Sequence, residues 1–95
     1  MAVKILIRRT VPKGKVQALL PLLLEMRSKA TTQPGYISGE TLLNVDRPED
    51  YVVISTWKSV EEWKTWEKGE GRGAIQKKID ALLGEKTTYG VYFYG

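Results

Sequence analysis

The chain has 95 residues, a formal net charge of +4, and neither cysteine nor histidine. A chain of this length is expected to form one domain that buries roughly 60–65% of its unfolded surface. The absence of cysteine excludes disulfides and thiolate metal sites, and the absence of histidine removes the usual general base, the commonest metal ligand and a haem ligand. We therefore expect neither a metal nor a cofactor.

Charged residues of both signs alternate along the chain, for example in Arg47-Pro48-Glu49-Asp50. This alternation is typical of a solvated surface rather than of a phosphate-binding stripe, so no nucleic-acid partner is predicted. No apolar run approaches the roughly 18 residues of a membrane span, and the N-terminus lacks a signal-peptide pattern. We expect a cytoplasmic protein without membrane contact.

The first third of the chain predicts a strand and a helix. Val3–Ile7 is a short β-rich run that ends before the charged pair Arg8-Arg9. From Lys15 to Thr32 apolar residues recur at helical spacing. Pro21 lies inside this helix, where it removes one backbone hydrogen bond, so we expect it to bend the axis.

Two further strands are predicted in the middle of the chain. Pro34-Gly35 ends the helix, and the next strand covers Tyr36 to Asp46. Gly39 within it predicts a bulge or a close approach of another group. A turn at residues 47–50 leads into a third strand, Tyr51 to Lys58.

All three tryptophans surround the junction that follows this strand: Trp57, Trp63 and Trp66. Ser59 and Glu62 have the spacing of a capping box, which predicts a helix from Ser59 to about Lys68. Trp63 and Trp66 are three residues apart and therefore share a helix face. Aromatic side chains clustered at the edge of a small sheet pack a core or wall a pocket for a flat organic molecule.

The last third predicts a glycine-rich break, a helix and a strand. Gly69, Gly71 and Gly73 do not follow a strand as a phosphate-binding loop does, so we expect a flexible segment near a pocket mouth. The next helix ends at Gly84 and carries one apolar stripe: Ile75, Ile79, Leu82 and Leu83. An aromatic strand over residues 87–94 completes the chain.

The element order β-α-β-β-α-β predicts a ferredoxin-like α+β sandwich, a four-stranded antiparallel sheet with helices on one face. Alternation along the strands nevertheless places large apolar residues on both faces, for example Ile5 and Ile7 opposite Leu6, and Val53 opposite Val52. Helices cover one face only. Because an uncovered apolar sheet usually marks an interface, we predict a homodimer through the sheet faces.

Three short motifs carry a resemblance to a known family: Val11-Pro12-x-Gly14-Lys15, Pro34-Gly35-Tyr36, and Trp57-x-Ser59-x-Glu61. Their order and spacing over residues 3–93 resemble the antibiotic biosynthesis monooxygenase (ABM) domain family, whose members are dimeric α/β barrels. The family includes cofactor-independent oxygenases of polycyclic phenols, quinol oxygenases, haem-degrading enzymes and proteins without assigned activity. The resemblance implies a cofactor-free monooxygenase, or a non-catalytic dimeric module that binds a small hydrophobic molecule.

The resemblance also bears on the site. In the haem-degrading branch a strand-one asparagine, a tryptophan and a histidine form the site; Trp66 matches the tryptophan, Gln76 stands where the histidine would be, and strand one has no asparagine. Two of these three residues are missing, so haem degradation is not predicted. In another branch a histidine stands at the position of Trp66, so this chain lacks the site residue of that branch as well.

Five side chains are candidates for lining a pocket: Trp66, Trp57, Trp63, Arg8 and Gln76. The tryptophans supply an apolar slot, Arg8 a cation for an oxyanion, and Gln76 a hydrogen-bond donor to a carbonyl oxygen. No residue is identified as the base, which must be Asp, Glu or Tyr. Each candidate also has a structural interpretation, with Trp57 anchoring the strand–helix junction, Arg8 a solvated charge and Gln76 a helix-surface residue. An RNA-recognition module is not favoured, because strand one lacks aromatic residues and strand three lacks the basic Gly-aromatic pattern.

Overall fold

The chain folds into four strands and three helices in the computed structural model, which describes residues 1–95. The elements in order are β1 (Val3–Thr10), α1 (Val16–Ala30), β2 (Tyr36–Leu43), β3 (Asp50–Trp57), α2 (Val60–Glu67), α3 (Glu70–Leu83) and β4 (Thr88–Phe93). The strands form one antiparallel sheet in the order β2-β3-β1-β4. This is the ferredoxin-like α+β fold predicted from the sequence, with its second helical segment divided into α2 and α3.

The two faces of the sheet differ in what covers them. Ile5 and Ile7 on β1 are buried against the helices and pair across the sheet with Ser55 and Val53 on β3. We call the opposite, helix-free side the far face. Its apolar residues are Leu6, Leu42, Val52, Ile54 and Tyr92, of which Leu42 is 47% and Tyr92 54% exposed. The prediction that both faces carry large apolar side chains is confirmed.

The tryptophans form the centre of the core on the helix side. Trp57 is fully buried, and its indole Nε1 donates a 2.7 Å hydrogen bond to Ser55 Oγ. Trp63 and Trp66 pack on it from α2, with ring centroids 5.9 Å and 6.2 Å away. Because a buried indole needs a partner for its N–H, Ser55 makes this apolar cluster possible without an unsatisfied donor.

The predicted capping box begins α2. The Glu62 amide donates to Ser59 Oγ at 3.2 Å, and the Ser59 hydroxyl donates to Glu62 Oε1 at 3.0 Å. Gly35 packs against this cap with a φ of 88°, and a Cβ built on it would lie 2.7 Å from the Glu62 Cβ. Its carbonyl accepts from the Lys58 amide at 2.8 Å. The Pro34-Gly35 turn therefore requires glycine both for its backbone conformation and for space.

Two strand boundaries differ from the prediction by three residues, and the others by at most one. β1 continues to Thr10, because its ladder with β3 continues through Arg8 and Arg9. β2 ends at Leu43, because the Asn44 side chain accepts hydrogen bonds from two following backbone amides, at 2.8 Å and 3.1 Å, and turns the chain. The irregularity in β2 lies between Tyr36 and Ser38, whereas Gly39 is a close-approach site: a Cβ there would meet the Tyr36 hydroxyl at 2.8 Å.

The glycine-rich segment is helical, which corrects the expected flexible break. α3 begins at Glu70 and contains Gly71 and Gly73, so only Lys68 and Gly69 separate it from α2. Helix propensity argues against two glycines in one turn, but packing of the buried residues further along α3 outweighs that cost. α3 ends, as predicted, at Gly84 in the left-handed conformation. None of the helices is both long and apolar enough to span a bilayer.

Candidate functional site

A cavity of about 290 Å³ lies between the helix-covered face of the sheet and α1. Its lining is mainly hydrophobic and comes from β1, β2, β3 and all three helices. Leu20 and Leu24 on α1 and Leu43 on β2 line it and remain 47%, 68% and 49% exposed, so they mark its mouth. An engineered cavity of about 150 Å³ in another protein holds benzene, so this space admits a larger ring system.

Two of the three tryptophans wall this cavity. Trp63 and Trp66 both line it, and Trp66 stacks on Trp57 with an angle of 24° between the ring planes. Trp57 itself lies beneath them and does not line the cavity. The stack on Trp57 fixes the Trp66 ring as one wall of the cavity.

The polar end of the cavity is formed by Arg9 and Arg72. Arg9 extends from β1 in phase with Ile5 and Ile7 and is 7% exposed. Arg72 extends from the first turn of α3, is 6% exposed, and its guanidinium lies over the rings of Trp63 and Tyr89 at 5.7 Å and 5.1 Å from their centroids. Both guanidinium groups therefore hold positive charge in a largely dry environment.

A hydrogen-bond network fixes both guanidinium groups. Gln76 Oε1 accepts from Arg9 Nη2 at 3.3 Å, from Arg72 Nη2 at 3.5 Å and from the Tyr89 hydroxyl at 3.1 Å. Arg72 Nη2 also donates to the Tyr89 hydroxyl. The Gln76 amide in turn donates to Asp80 Oδ1 and Thr87 Oγ1, both at 2.8 Å. Thr87 Oγ1 also accepts from Arg9 Nε at 3.2 Å. The network orients two cations towards one space.

These two cations lack a carboxylate partner. The ion pairs of the structure involve neither Arg9 nor Arg72. Asp80 is the acid in the network, and it bonds to Gln76 and Thr87 instead. Burial lowers the pKa of Arg9; Tyr89 opposes this shift, Arg72 adds to it, and Asp80 opposes it. The guanidinium remains protonated at physiological pH, so a positive charge stays buried there with little compensation.

The structure brings together three of the five predicted pocket residues. Trp63 and Trp66 line the cavity, and Gln76 lies behind it and positions the two arginines. Trp57 is core. Arg8 lies on the far face, where its side chain is 58% exposed and 3.8 Å from Asp50 Oδ1, so it is not at the cavity. Consecutive residues of a strand point to opposite faces, so the cation at the cavity is Arg9 rather than Arg8.

Sequence reasoning missed Arg9 and Arg72, although each had a signal. Arg9 continues the alternation of Ile5 and Ile7 by one more step of two residues. Arg72 precedes Ile75 by three residues and Ile79 by seven, so it shares their helix face. The charge of Arg9 suggested the end of a strand, and the glycines around Arg72 suggested a loop.

The arrangement can bind a flat apolar molecule and stabilise negative charge at one end of it. No aspartate, glutamate or histidine lines the cavity, and the hydroxyl groups present include those of Tyr36 and Tyr51. No group of acidic side chains could hold a metal ion. The chemical resources are therefore aromatic walls, fixed N–H donors and buried positive charge.

Solved structures share the fold over nearly the whole chain. A conserved protein from Methanosarcina mazei Go1 superposes with a TM-score of 0.91 at 17% identity, covering 100% of this chain and 94% of that chain. A variant of SnoaB, a cofactor-independent oxygenase from Streptomyces nogalater, superposes with a TM-score of 0.85 at 18% identity, covering 98% and 92%. At these identities the likeness establishes the fold alone.

Comparison with curated protein sequences gave no match. The family resemblance noted in the sequence has independent support, because the model of one family matches residues 2–78, most of the chain. That family is described as antibiotic biosynthesis monooxygenase. The chain belongs to the antibiotic biosynthesis monooxygenase family.

Proposed function

We propose that this protein is a cofactor-independent monooxygenase that oxidises a small aromatic phenol or quinol in the cavity. The observation that carries the proposal is the pairing of aromatic walls with buried cations: Trp63 and Trp66 line the same space as Arg9 and Arg72. An electron-rich aromatic anion is the species such a site stabilises. The fold shared with a cofactor-independent oxygenase supports the same reaction class.

The reaction needs no cofactor, because the substrate supplies the electrons. The phenolate gives one electron to dioxygen, and the aryloxyl radical and superoxide combine to form a peroxide on a ring carbon that bears hydrogen. The proton removed from the phenol is returned to the distal oxygen. The O–O bond then breaks as the ring carbon loses its proton, leaving one oxygen as a carbonyl and the other as water. A phenol and dioxygen thus give a quinone and water.

Each cavity residue has a role in this scheme. Arg9 and Arg72 stabilise the phenolate oxygen from which the electron leaves, in a site where little water competes for their donors. The substrate ring lies against Trp66, whose other face stacks on Trp57. Gln76 touches both guanidinium groups and acts as a positioning residue. The apolar remainder of the cavity excludes water from the peroxide.

A second candidate function is supported by one observation, the lack of a carboxylate or histidine among the lining residues. A conventional general base is therefore missing. A non-catalytic dimeric module that binds a small aromatic molecule would need the same walls and cations and no base.

Oxygen uptake separates the two candidates. The protein is incubated with a panel of phenols and quinols while dissolved oxygen and tryptophan fluorescence are recorded, and turnover is repeated in isotopically labelled dioxygen. The proposal expects oxygen consumption equal to quinone formation, with one label in the quinone and one in water. Fluorescence quenching without oxygen uptake across the panel would contradict the monooxygenase and favour the binding module.

We also propose that two chains pair through the far faces of their sheets. Leu6, Val52 and Ile54 give that face an apolar centre, and Leu42 and Tyr92 on neighbouring strands are about half exposed. A twofold-symmetric contact buries the same patch on both chains, so the apolar surface of each is removed from water. The cavity lies on the other side of the sheet, so pairing leaves its mouth open.

A further inference from the structure

Arg9 and Arg72 keep hydrogen-bond donors that the chain does not use. Arg9 donates within the chain through Nε and Nη2, and Arg72 through Nη1 and Nη2. Arg9 Nη1 and Arg72 Nε therefore have no partner in the chain. No fully buried side-chain nitrogen or oxygen lacks a partner. Both atoms must therefore be accessible to water, and their residues line the cavity.

The charge of the cavity is of one sign. Arg9, Arg27 and Arg72 line it, and no acidic residue does. Arg27 is exposed near the mouth, where its Nη2 donates to Thr41 Oγ1 at 3.1 Å, whereas the other two are buried. Asp80, the acid in the network, offsets one of the two buried guanidinium charges at most. A neutral ligand would leave the remaining charge without compensation.

No lining group is suited to take a proton from a bound ligand. Carboxylate and imidazole bases are absent from the cavity, and a tyrosine, serine or threonine hydroxyl that carries its own proton is a poor base. A ligand that must be ionised to react therefore has to lose its proton to solvent, before or during entry. The buried cations make that loss favourable, because an opposite charge nearby lowers the pKa of an acid.

We propose that the cavity takes its ligand as a monoanion: an aromatic molecule with a planar oxyanion, a carboxylate or an ionised phenol, at one end. The oxyanion accepts from Arg9 Nη1 and Arg72 Nε, and the rings lie against Trp66. Guanidinium groups suit planar oxyanions because their N–H donors lie in one plane. The inference rests on the proposed function only in that a phenolate is the form oxidised; the preference for anions does not require turnover.

A matched pair of ligands tests the charge preference without oxidation. Calorimetric titrations at neutral pH compare 2-naphthoate with the neutral 2-naphthamide, which has the same ring system. We expect at least about tenfold tighter binding of the carboxylate. In Arg9→Gln the preference falls to about threefold or less, while in Arg8→Gln, the same charge change on the far face, it is retained. Equal affinities for the two ligands, equal loss in both variants, or no binding of the carboxylate at millimolar concentration would overturn the proposal.

Binding of the second kind of oxyanion, an ionised phenol, is tested with 4-nitrophenol, whose absorbance reports its ionisation. With saturating protein, the pKa of the bound phenol is expected to fall by at least about one unit, so affinity rises with pH between the bound and the free pKa and is constant above the latter. An unchanged or raised pKa overturns the phenolate form. This measurement uses the unaltered protein, so it decides the proposal even where Arg9→Gln fails to fold.

The two proposals fail in different ways. Carboxylate preference and a lowered pKa without oxygen uptake from any quinol support the anion site and contradict the monooxygenase. Oxygen uptake from quinols with no preference between naphthoate and naphthamide supports the monooxygenase and contradicts the anion site.

Discussion

Replacing Arg9 by methionine is expected to make the fold more stable. Arg9 is 7% exposed and has no acidic side chain within ion-pairing distance. Because burial lowers its pKa, its protonated form is less favourable in the folded than in the unfolded chain. The charge therefore opposes folding at any pH at which arginine is protonated. Methionine has an unbranched apolar side chain that can follow the path of the arginine side chain, and it removes the free-energy cost of burying the charge.

The hydrogen bonds that Arg9 loses leave no acceptor unpaired. Gln76 Oε1 still accepts from Arg72 and Tyr89, and Thr87 Oγ1 still accepts from Gln76 Nε2. Replacing buried charged groups by well-packed apolar ones has stabilised proteins by roughly 1–4 kcal/mol, and we expect the lower part of that range here because the site is not fully enclosed. A gain of about 1 kcal/mol raises the unfolding midpoint by roughly 4–8 °C in a domain of this size.

Thermal and urea unfolding of Arg9→Met measure this effect. They are run at one fixed protein concentration, because the proposed pairing of chains would add to stability. Arg8→Met is the matched control. Its guanidinium is 58% exposed and makes one ion pair at 3.8 Å, so its loss changes the free energy of unfolding by no more than about 0.5 kcal/mol. A loss of more than about 1 kcal/mol in Arg9→Met would refute the reasoning, since it would assign the guanidinium a structural role.

Three further outcomes are expected. Trp66→Leu removes the indole ring that stacks on Trp57 at 6.2 Å and forms one wall of the cavity, so 2-naphthoate binding measured by calorimetry is expected to weaken at least about tenfold. Unchanged affinity would mean that the ligand binds elsewhere. Gly35→Ala, at a φ of 88°, lowers the free energy of unfolding measured in urea by roughly 2–4 kcal/mol. Gly73→Ala, at a helical position with open space around it, raises that free energy by roughly 0.5–1 kcal/mol, and equal effects of the two substitutions would contradict the described geometry of the turn at Gly35. Ile54→Glu is expected to sediment as single chains at micromolar concentration, whereas Val45→Glu, at a 94% exposed position, is expected to sediment like the unaltered protein. If the unaltered protein already sediments as single chains, the proposed pairing is wrong.

The sequence predicts the fold well because its local signals agree with one another. The Ser59–Glu62 spacing, the alternation in β1 and β3, and the glycine at position 84 each specify a helix end or a strand face without help from the rest of the chain. Trp63 and Trp66 follow from the same reasoning, since their spacing places both on one side of α2. The element order and two residues of the site are therefore predictable.

The polar end of the cavity is less predictable because tertiary structure overrides local preference there. The pairing of β1 with β4 ends at Arg8, so Arg9 is held in the strand by the pairing with β3 alone, where it lies opposite Tyr51. Arg72 lies between two glycines that disfavour a helix. The helix forms because Ile75 and Ile79, further along α3, are buried in the core. The burial of both arginines depends on a sheet and a helix meeting, and no window of sequence contains both.

A crystal structure of the protein with 2-naphthoate tests the central claim most directly. The claim predicts the carboxylate within about 3 Å of Arg9 Nη1 and Arg72 Nε, with the rings against Trp66. A naphthoate bound with its carboxylate at Arg27 and the mouth, or on the far face beside Arg8, would contradict it.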